Sequence, residues 1–305
     1  MSGPPVVAVD IGGTKLAVRA LADGTTVHER TVHWPRGADT DVEFGLLAAS
    51  VAEAVEALGG APARIGVAAA PNVDRHGRVT VWPNRPGWRG RCLRTPFVST
   101  GAPVLFGDDA SLAALAEAHS AACPDLVHLG LGTGVGGGLV CGGRLLTGAW
   151  GSAAELGHLV VDPGGPVCRC GARGCLQAGA SGPALAAYAT ALRDRPTTTA
   201  DLVAGVADGA DWAADTLDHA ADLLARALAV LAEVVQPERA HLGGGLGSAL
   251  TGLPERVAGR LPAAARAGRP VPEVRTATHG AHASLEGAAL LARRGAGLLG
   301  GERVA

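Results

Sequence analysis

The chain has 305 residues, of which 48% are hydrophobic and 18% are charged, a balance typical of folded globular proteins. Its length suggests two domains. The formal net charge of −2 argues against a nucleic-acid surface, which needs clustered basic residues. No apolar run approaches the roughly 18 residues that span a bilayer, and the N-terminus lacks the features of a secretory signal. We therefore expect a cytoplasmic protein that binds neither nucleic acid nor membrane.

The first part of the chain predicts three strands joined by tight turns. Apolar residues 6–9 indicate a buried strand, and two more strands follow at 16–21 and 27–32. This opening is a β-meander and not a βαβ unit. Apolar residues at helical spacing between Phe44 and Leu58 then predict a helix. The neighbouring predicted features are its cap candidates Asp39 and Thr40, strands at 64–70 and 103–106, and a helix at 110–121.

The second part of the chain repeats this plan. A strand at 126–131 leads into a glycine-rich turn, Gly132–Gly138, and a strand at 139–141 returns from it. Two strand–glycine turn–strand units suggest an internally duplicated fold with a cleft between its halves. The remaining predicted elements are a long helix at 212–235, a strand at 239–242 before the turn Gly243–Gly247, and a last helix at 283–294 that is a candidate to cross back onto the first domain.

Three glycine turns at strand ends favour a nucleotide site. Backbone N–H groups freed by Gly12 and Gly13 can cradle phosphate oxygens, while Asp10 can hold hydrated Mg²⁺. This is not a Walker A loop, because a strand follows it instead of a helix. In the second turn Thr133 can bond a phosphoryl oxygen, and the third turn, at Gly243, suits contact with a nucleoside. Lys15 is the only lysine; it either serves the first turn or reflects an arginine-rich composition.

Three of the six cysteines lie within eight residues, at Cys168, Cys170 and Cys175, and His158 lies ten positions upstream. Tetrahedral Zn²⁺ prefers such sulfur and nitrogen ligands, and a Cys3His set leaves no open position for water. We therefore predict a structural zinc ion. It would fix His158 and, one helical turn earlier, Glu155. The alternative is a glycine-rich loop with three free thiols.

Three further polar residues are candidates for chemistry. Asp109, between a strand and a helix, is either an N-cap or a general base that accepts a proton from an attacking hydroxyl group. Asp108 is either a substrate contact or a solvated neighbour. Asn84 lies in a rigid turn, where it either binds sugar hydroxyl groups or serves the turn itself.

These pieces together resemble the ROK family (repressors, open reading frames and sugar kinases) over nearly the whole chain. The shared motifs are D-x-G-G-T-K at Asp10, P-N-x-P-G-W at Pro83, D-A-x-x-A-A-L at Asp109, G-T-G-x-G-G-G at Gly132, E-x-G-H at Glu155 and C-x-C-G-x-x-G-C at Cys168. The last two in tandem are highly specific.

The resemblance implies an α/β fold of the duplicated actin-like, ribonuclease H-like ATPase type, with two domains around a cleft and a structural zinc loop. We expect a small domain at 1–120, joined by a C-terminal helix at 283–305, and a large domain at 121–282 with the zinc loop at 158–175. It also implies a homodimer that binds a sugar and a nucleotide.

The resemblance also assigns roles to residues. Asp109 would be the catalytic base of an ATP- and Mg²⁺-dependent hexose kinase. The ATP contacts would be Asp10, Gly12, Gly13, Thr14, Lys15, Thr133, Gly134, Gly244 and Gly245. The sugar contacts would be Asn84, Asp108, Asp109, Glu155, His158 and Gln177. The zinc ligands would be His158, Cys168, Cys170 and Cys175.

Three residues depart from the family pattern. Asp108 and Gln177 stand where glucose-phosphorylating members typically show Asn and Glu, and Arg85 replaces an apolar residue. In the family, the residue before the catalytic aspartate faces the C3–C4 edge of the sugar, so an aspartate there would suit an ammonium group. This points to an amino-hexose such as kanosamine (3-amino-3-deoxyglucose), phosphorylated at O6. The alternative is that Asp108 pairs with Arg85 and that glucose remains the substrate.

Other functions remain open at this point. A sugar-responsive regulator of the same family would need a DNA-binding domain, for which we expect no room before the strand at Val6. A non-catalytic sugar-binding protein is disfavoured by the presence of Asp10, Asp109 and Thr133. The phosphoryl donor could be polyphosphate in place of ATP.

Overall fold

The structure, a computed structural model, describes residues 3–74, 76–149, 151 and 153–300. These residues form two compact units. Unit 1 contains the described residues of Met1–Ala116, Arg144–Ala153 and His282–Ala305, and unit 2 those of Glu117–Gly143 and Ala154–Ala281. The described residues of Arg144–Ala153 therefore group with unit 1, whereas the boundaries expected above assign this segment to the second domain.

The described residues form strands and helices with the following bounds. The strands are β1 (Val6–Ile11), β2 (Lys15–Ala22), β3 (Thr25–His33), β4 (Arg64–Ala69), β5 (Asn72–Val73), β6 (Val79–Val81), β7 (Val104–Asp108), β8 (Leu126–Leu131), β9 (Val135–Cys141), β10 (Arg144–Leu145), β11 (Arg239–Gly243) and β12 (Glu273–Thr276). The helices are α1 (Thr40–Ala57), α2 (Asp109–Ser120), α3 (Leu176–Ala180), α4 (Gly182–Arg193), α5 (Thr199–Ala207), α6 (Asp211–Val234), α7 (Gly244–Gly247), α8 (Leu253–Ala264) and α9 (Ala283–Arg294).

The two main sheets share one topology. In unit 1 the strand order is β3-β2-β1-β4-β7; β1 is antiparallel to β2 and parallel to β4, and β4 is parallel to β7. In unit 2 β8 is antiparallel to β9 and parallel to β11, and β11 is parallel to β12. The predicted meander and the predicted internal duplication are both confirmed at the level of strand pairing.

Strand register brings the candidate residues to one edge of each sheet. Parallel strands end at the same edge, and in unit 1 Ile11, Ala69 and Asp108 are paired across β1, β4 and β7. In unit 2 Gly130 of β8 is paired with Gly243 of β11. The glycine turns therefore follow directly from the carboxyl ends of parallel strands, where α/β folds place their ligand sites.

The sequence prediction of β9 was wrong at its beginning. The strand starts at Val135, four residues before the predicted start, because the glycine residues that follow are paired with β8. A side chain at Gly137 would lie 2.6 Å from the Leu156 side chain and 2.7 Å from the backbone oxygen of His128. Glycine is thus needed inside this strand for packing. Only the first part of the run, Gly132–Gly134, forms a turn.

The cores differ in composition between the two units. In unit 2 small and aliphatic side chains of α6 and the sheet form the buried cluster, as the low aromatic content predicts. In unit 1 five of the few aromatic side chains are buried together: Trp34, Phe44, Trp82, Trp88 and Phe97. Among the described residues, we find no helix with the length and apolar character needed to cross a bilayer.

Close packing between β4 and α9 in unit 1 gives a first test of the fold. A side chain at Gly66 in β4 would overlap the carbonyl oxygen of Ala288 in α9. We expect Gly66→Ala to destabilise the protein by about 1–3 kcal/mol through overpacking. Gly45→Ala in α1 is the matched control, since no atom lies within 4 Å of its added methyl group; it should raise stability by up to about 1 kcal/mol. Urea unfolding of both variants measures this, and equal effects would contradict the packing described.

Candidate functional site

The first glycine turn joins β1 to β2, and a buried carboxylate lies just before it, near the end of β1. Asp10 lies within β1 and is 9% exposed. Burial raises the pKa of Asp10 to about 6, although the nearby Lys15 opposes this shift. The backbone N–H of Gly12 donates to the Lys15 carbonyl at 3.0 Å, and the indole N–H of Trp34 donates to the Gly12 carbonyl at 2.8 Å. The turn is thus closed by one backbone hydrogen bond and held by Trp34, which no sequence motif marks.

The structure brings Asn84 against this turn. A methyl group added at Gly13 would lie 2.6 Å from the side-chain amide nitrogen of Asn84. The sugar candidate Asn84 and the phosphate candidate Gly13 are therefore neighbours within unit 1. Asn84 itself is an exposed residue.

Arg85, the neighbour of Asn84, is bound to a residue far away in sequence. Its guanidinium group forms an ion pair with Glu43 of α1, which is buried, and Glu43 also accepts a hydrogen bond from the Trp88 indole. The guanidinium carbon lies 5.0 Å from the ring centre of Trp34, a cation–π contact. Within the described part of the chain, no ion pair joins Arg85 to Asp108. The alternative in which Arg85 neutralises Asp108 is therefore wrong, because Glu43 holds the guanidinium group.

The structure shows which of the two adjacent residues Asp108 and Asp109 caps α2. Asp108 is the last residue of β7, and its Oδ2 accepts the backbone N–H of Ser111 at 3.0 Å, so it caps α2. Asp109 is the first residue of α2, and its Oδ1 accepts the backbone N–H of Ala110 at 2.7 Å. Burial raises the pKa of Asp108, against hydrogen bonds from Ser111 and Ala110 that lower it. The N-cap interpretation thus applies to Asp108 and not to Asp109.

The other two glycine turns meet within unit 2. In the second turn, the Gly132 N–H donates to the Gly134 carbonyl at 2.9 Å, and Thr133 between them is exposed. In the third turn, Gly244 has a φ of +78°, and a side chain there would lie 2.5 Å from the carbonyl oxygen of Leu131, which directly precedes the second turn. A methyl group added at Gly245 would have no such neighbour within 4 Å, and the residue is exposed.

A buried carboxylate and two imidazoles lie beside the third turn. Glu117 accepts from the Nδ1 of His241 at 2.8 Å and from the backbone N–H groups of Thr278 and His279 at 2.9 and 2.8 Å. Burial opposes the ionisation of Glu117, but these three hydrogen bonds outweigh it and lower its pKa to about 2.

His241 of β11 is paired with His128 of β8, whose ring would lie 3.0 Å from a methyl group added at Gly243. Burial lowers the pKa of His128 to about 4, so this ring is neutral at physiological pH. No sequence motif marks this group.

The predicted metal ligands lie together. The ligand atoms of His158, Cys168, Cys170 and Cys175 all lie within 4.8 Å of one another. The sulfurs of Cys170 and Cys175 are 3.7 Å apart, and the Cys168 sulfur is 3.8 Å from the His158 Nδ1. Two thiolates on one tetrahedral zinc ion, with Zn–S bonds of about 2.3 Å, are separated by about 3.8 Å. The donor set and its spacing thus fit zinc.

A close backbone contact positions the E-x-G-H segment. Glu155 precedes the 3-10 helix Leu156–His158, and its carbonyl accepts the His158 N–H at 2.9 Å, which places the two residues one turn apart as predicted. A side chain at Gly157 would overlap the Val135 carbonyl oxygen and lie 3.4 Å from the Cβ of Gln177. Glycine at 157 therefore allows this segment to lie directly against β9 and α3.

The structure thus groups the candidate residues within each unit. Unit 1 holds the Asp10 turn with Asn84, and, at the same sheet edge, Asp108 and Asp109. Unit 2 holds the two other glycine turns and the cysteine–histidine cluster with Glu155 and Gln177. Sequence reasoning missed the residues that support these groups: Trp34, Glu43, Ser111, Glu117, His128 and His241. The P-N-x-P-G-W motif was the only sequence signal near any of them, because its Trp88 contacts Trp34 and Glu43.

Comparisons with known proteins show which family the chain resembles. The sequence model of the ROK family matches residues 6–295. Kanosamine kinase from Amycolatopsis mediterranei (strain S699) is 38% identical over 294 residues, which cover 96% of this chain and 97% of that protein.

Two solved structures are similar over nearly their whole length. The ROK hexokinase from Thermus thermophilus is 35% identical, with a TM-score of 0.83 over 94% of this chain and 97% of that one. A ROK family glucokinase from Streptomyces griseus, in complex with glucose and AMPPNP, is 31% identical, with a TM-score of 0.78 over 95% of this chain and 100% of that one. The chain belongs to the ROK family.

Proposed function

We propose that this protein transfers the γ-phosphoryl group of ATP to the 6-hydroxyl group of an amino-hexose, with kanosamine as the leading candidate. The family and its members support the general activity: the chain is an ATP-dependent sugar kinase. The full-length similarity to a kanosamine kinase supports kanosamine as its substrate. Plain glucose is the alternative substrate, which the similarity to a glucokinase supports.

The observation that carries the amino-sugar proposal is the environment of Asp108. Its carboxylate is part-buried, with a raised pKa, and its only described partners are hydrogen-bond donors of Ser111 and Ala110. The cation closest in sequence to the sugar candidates, Arg85, is held by Glu43. An ammonium group on the substrate would stabilise the ionised form of Asp108, and such charge-assisted bonds are stronger than those to a neutral hydroxyl group.

In the proposed reaction Asp109 is the general base. The sugar's primary hydroxyl oxygen attacks the γ-phosphorus and forms the new O–P bond, while the bond from that phosphorus to the β,γ-bridging oxygen breaks and ADP leaves. The hydroxyl proton passes to the Asp109 carboxylate. The catalytic contribution of the protein in such transfers is mainly positioning and charge stabilisation.

The remaining site residues have binding roles in this proposal. The glycine turns at Gly12–Thr14, at Thr133–Gly134 and at Gly244–Gly245 would bind the nucleotide through their backbone N–H groups, with Lys15 beside the first. Asp10 would hold Mg²⁺, which neutralises the charge that develops on the phosphate oxygens. Asn84, Glu155 and His158 would contact the sugar. Zinc, held by the cysteine–histidine cluster, would fix the E-x-G-H segment, a structural role.

The role of Asp109 predicts a large effect on turnover. General-base catalysis is typically worth about 10²–10⁴-fold, so Asp109→Asn should lower kcat by at least about 100-fold while sugar binding survives. Asp23→Asn is the matched control: Asp23 is exposed in the β2–β3 turn at a φ of 50°, which asparagine also adopts. Coupled ADP-release kinetics and calorimetric sugar binding measure the two quantities. Near-normal turnover in Asp109→Asn would remove this assignment.

The role of Asp108 predicts a change in specificity. In Asp108→Asn the cap on Ser111 is retained, since asparagine caps helices as well as aspartate does, and only the charge is lost. A hydrogen bond to a charged group contributes about 1.5–3 kcal/mol, so kcat/KM for kanosamine should fall by roughly 10–100-fold, and that for glucose much less. Steady-state kinetics with both sugars, in wild type and variant, decide this. Equal losses, or a wild-type preference for glucose, would favour the glucokinase alternative.

The burial of Asp10 predicts that replacing it with asparagine stabilises the protein, by an amount that depends on pH. The pKa of Asp10 rises from 3.8 to about 6 on folding, roughly two units, or about 3 kcal/mol. Because the folded state holds the proton more tightly than the unfolded state, the free energy of unfolding falls by this amount as the pH rises from 3.8 to about 6. Without Mg²⁺ and nucleotide, Asp10→Asn should be more stable than wild type by up to about 3 kcal/mol at pH 8, and the difference should shrink as the pH is lowered through this range. Urea unfolding across pH tests this, and a destabilised variant at pH 8 would contradict it.

A further inference from the structure

Gln177 connects the cysteine–histidine cluster to a glycine turn. It is the second residue of α3 and directly follows Cys175 and Leu176. Its side-chain Nε2 donates to the sulfur of Cys168 at 3.3 Å. Its Oε1 lies on the other side, 3.1 Å from a methyl group placed at Gly134. One half-buried side chain thus touches both the metal cluster and the second glycine turn, within unit 2.

We propose that Gln177 is a positioning residue of the metal site, whose amide N–H stabilises the thiolate of Cys168 and orients it toward the metal. This differs from the sugar contact expected at this position. The inference rests on the proposed zinc site and is independent of which sugar the enzyme phosphorylates. Groups that hydrogen-bond to metal ligands hold their orientation and are typically worth 10–100-fold in metal affinity.

The charge of the cluster explains why an amide suits this position. Three thiolates and one zinc dication leave one net negative charge, because the histidine ligand is neutral. An amide N–H bonds favourably to such a cluster. A carboxylate at position 177 has no proton to donate at neutral pH and would be repelled by the thiolate. Glutamine and glutamate at this position are therefore not equivalent for metal binding, although they have the same shape.

The contact between Gln177 and Gly134 connects the metal cluster to the second glycine turn. Gln177 fills the space beside Gly134, and the turn is also fixed by a bond from the Gly182 N–H to the Gly132 carbonyl at 2.8 Å. When Gln177 is held by Cys168, its other end is held against the turn. Loss of the metal should therefore loosen the side chain that supports Gly134.

The test measures zinc affinity of the full-length protein by competition with a chromophoric chelator, after metal analysis of the purified wild type. Wild type should contain about one zinc ion per chain, as a single four-ligand site requires. Gln177→Leu removes the donor and Gln177→Glu also adds a charge, so affinity should fall by about 10-fold or more in Gln177→Leu and further in Gln177→Glu. Gln236→Glu is the matched control, because Gln236 is exposed and lies two residues after the end of α6; it should bind zinc like wild type.

A second readout separates the hydrogen bond from a general effect on folding. In Co²⁺-substituted protein, loss of an N–H bond to a thiolate makes the sulfur more electron-rich and moves the sulfur-to-cobalt charge-transfer band to lower energy. We expect this shift in Gln177→Leu and not in Gln236→Glu. Wild-type affinity and an unchanged band in Gln177→Leu would overturn the proposal, even if Gln177→Glu binds weakly. Wild type that is folded and active without zinc would instead defeat the zinc site itself.

Discussion

The arrangement of unit 1 depends on one buried carboxylate, that of Glu43 in α1. It binds both the Arg85 guanidinium and the Trp88 indole, and a buried charge is tolerated only with such partners. Trp88 packs edge-on against Trp34, with ring centres 5.6 Å apart, and Trp34 donates to the Gly12 carbonyl. A chain of contacts thus runs from Glu43 to the first glycine turn. The loop that carries Asn84 is fixed by the same anchor, so the sugar and phosphate candidates of this unit share one support.

This constraint bears on substrate choice. Since Glu43 holds Arg85, the positive charge nearest in sequence to Asn84 is committed elsewhere. Asp108 is left with a helix cap on one oxygen and a raised pKa. A carboxylate can accept hydrogen bonds from neutral hydroxyl groups, but an ammonium group adds the attraction between opposite charges. In the two proposals made above, the departures from the family pattern at Asp108 and Gln177 have different roles: Asp108 would contact the substrate, and Gln177 would contact the metal cluster.

Much of this architecture could be predicted from the sequence, because its signals are local. Strand–glycine turn–strand patterns and helix caps depend on neighbouring residues, and the helix predicted at 283–294 has the bounds of α9. The helix expected at 283–305 was too long, because α9 ends at Arg294. The cysteine–histidine cluster was predictable because three of its ligands lie in one short loop. The partner of Arg85 was not, since Glu43 lies 42 residues away and no local pattern links them. Asp109 was a candidate both for the cap of α2 and for the general base, and the sequence could not show that Asp108 is the cap, because that depends on where the helix begins.

In unit 2 a glycine turn is also held in place by a buried carboxylate and aromatic rings, but the residues differ from those of unit 1. The buried carboxylate of unit 2 is Glu117, which binds His241 and two backbone N–H groups, and His241 is paired with His128 beside Gly243. In both units a buried anion, satisfied by hydrogen bonds, holds aromatic rings next to a glycine turn. The glycine residues of these turns have no side chains that could hold them in place, so neighbouring residues must fix the geometry of the turn. Indoles do this in unit 1 and imidazoles in unit 2, and for this reason the duplication is visible in strand pairing but not in the residues that stabilise it.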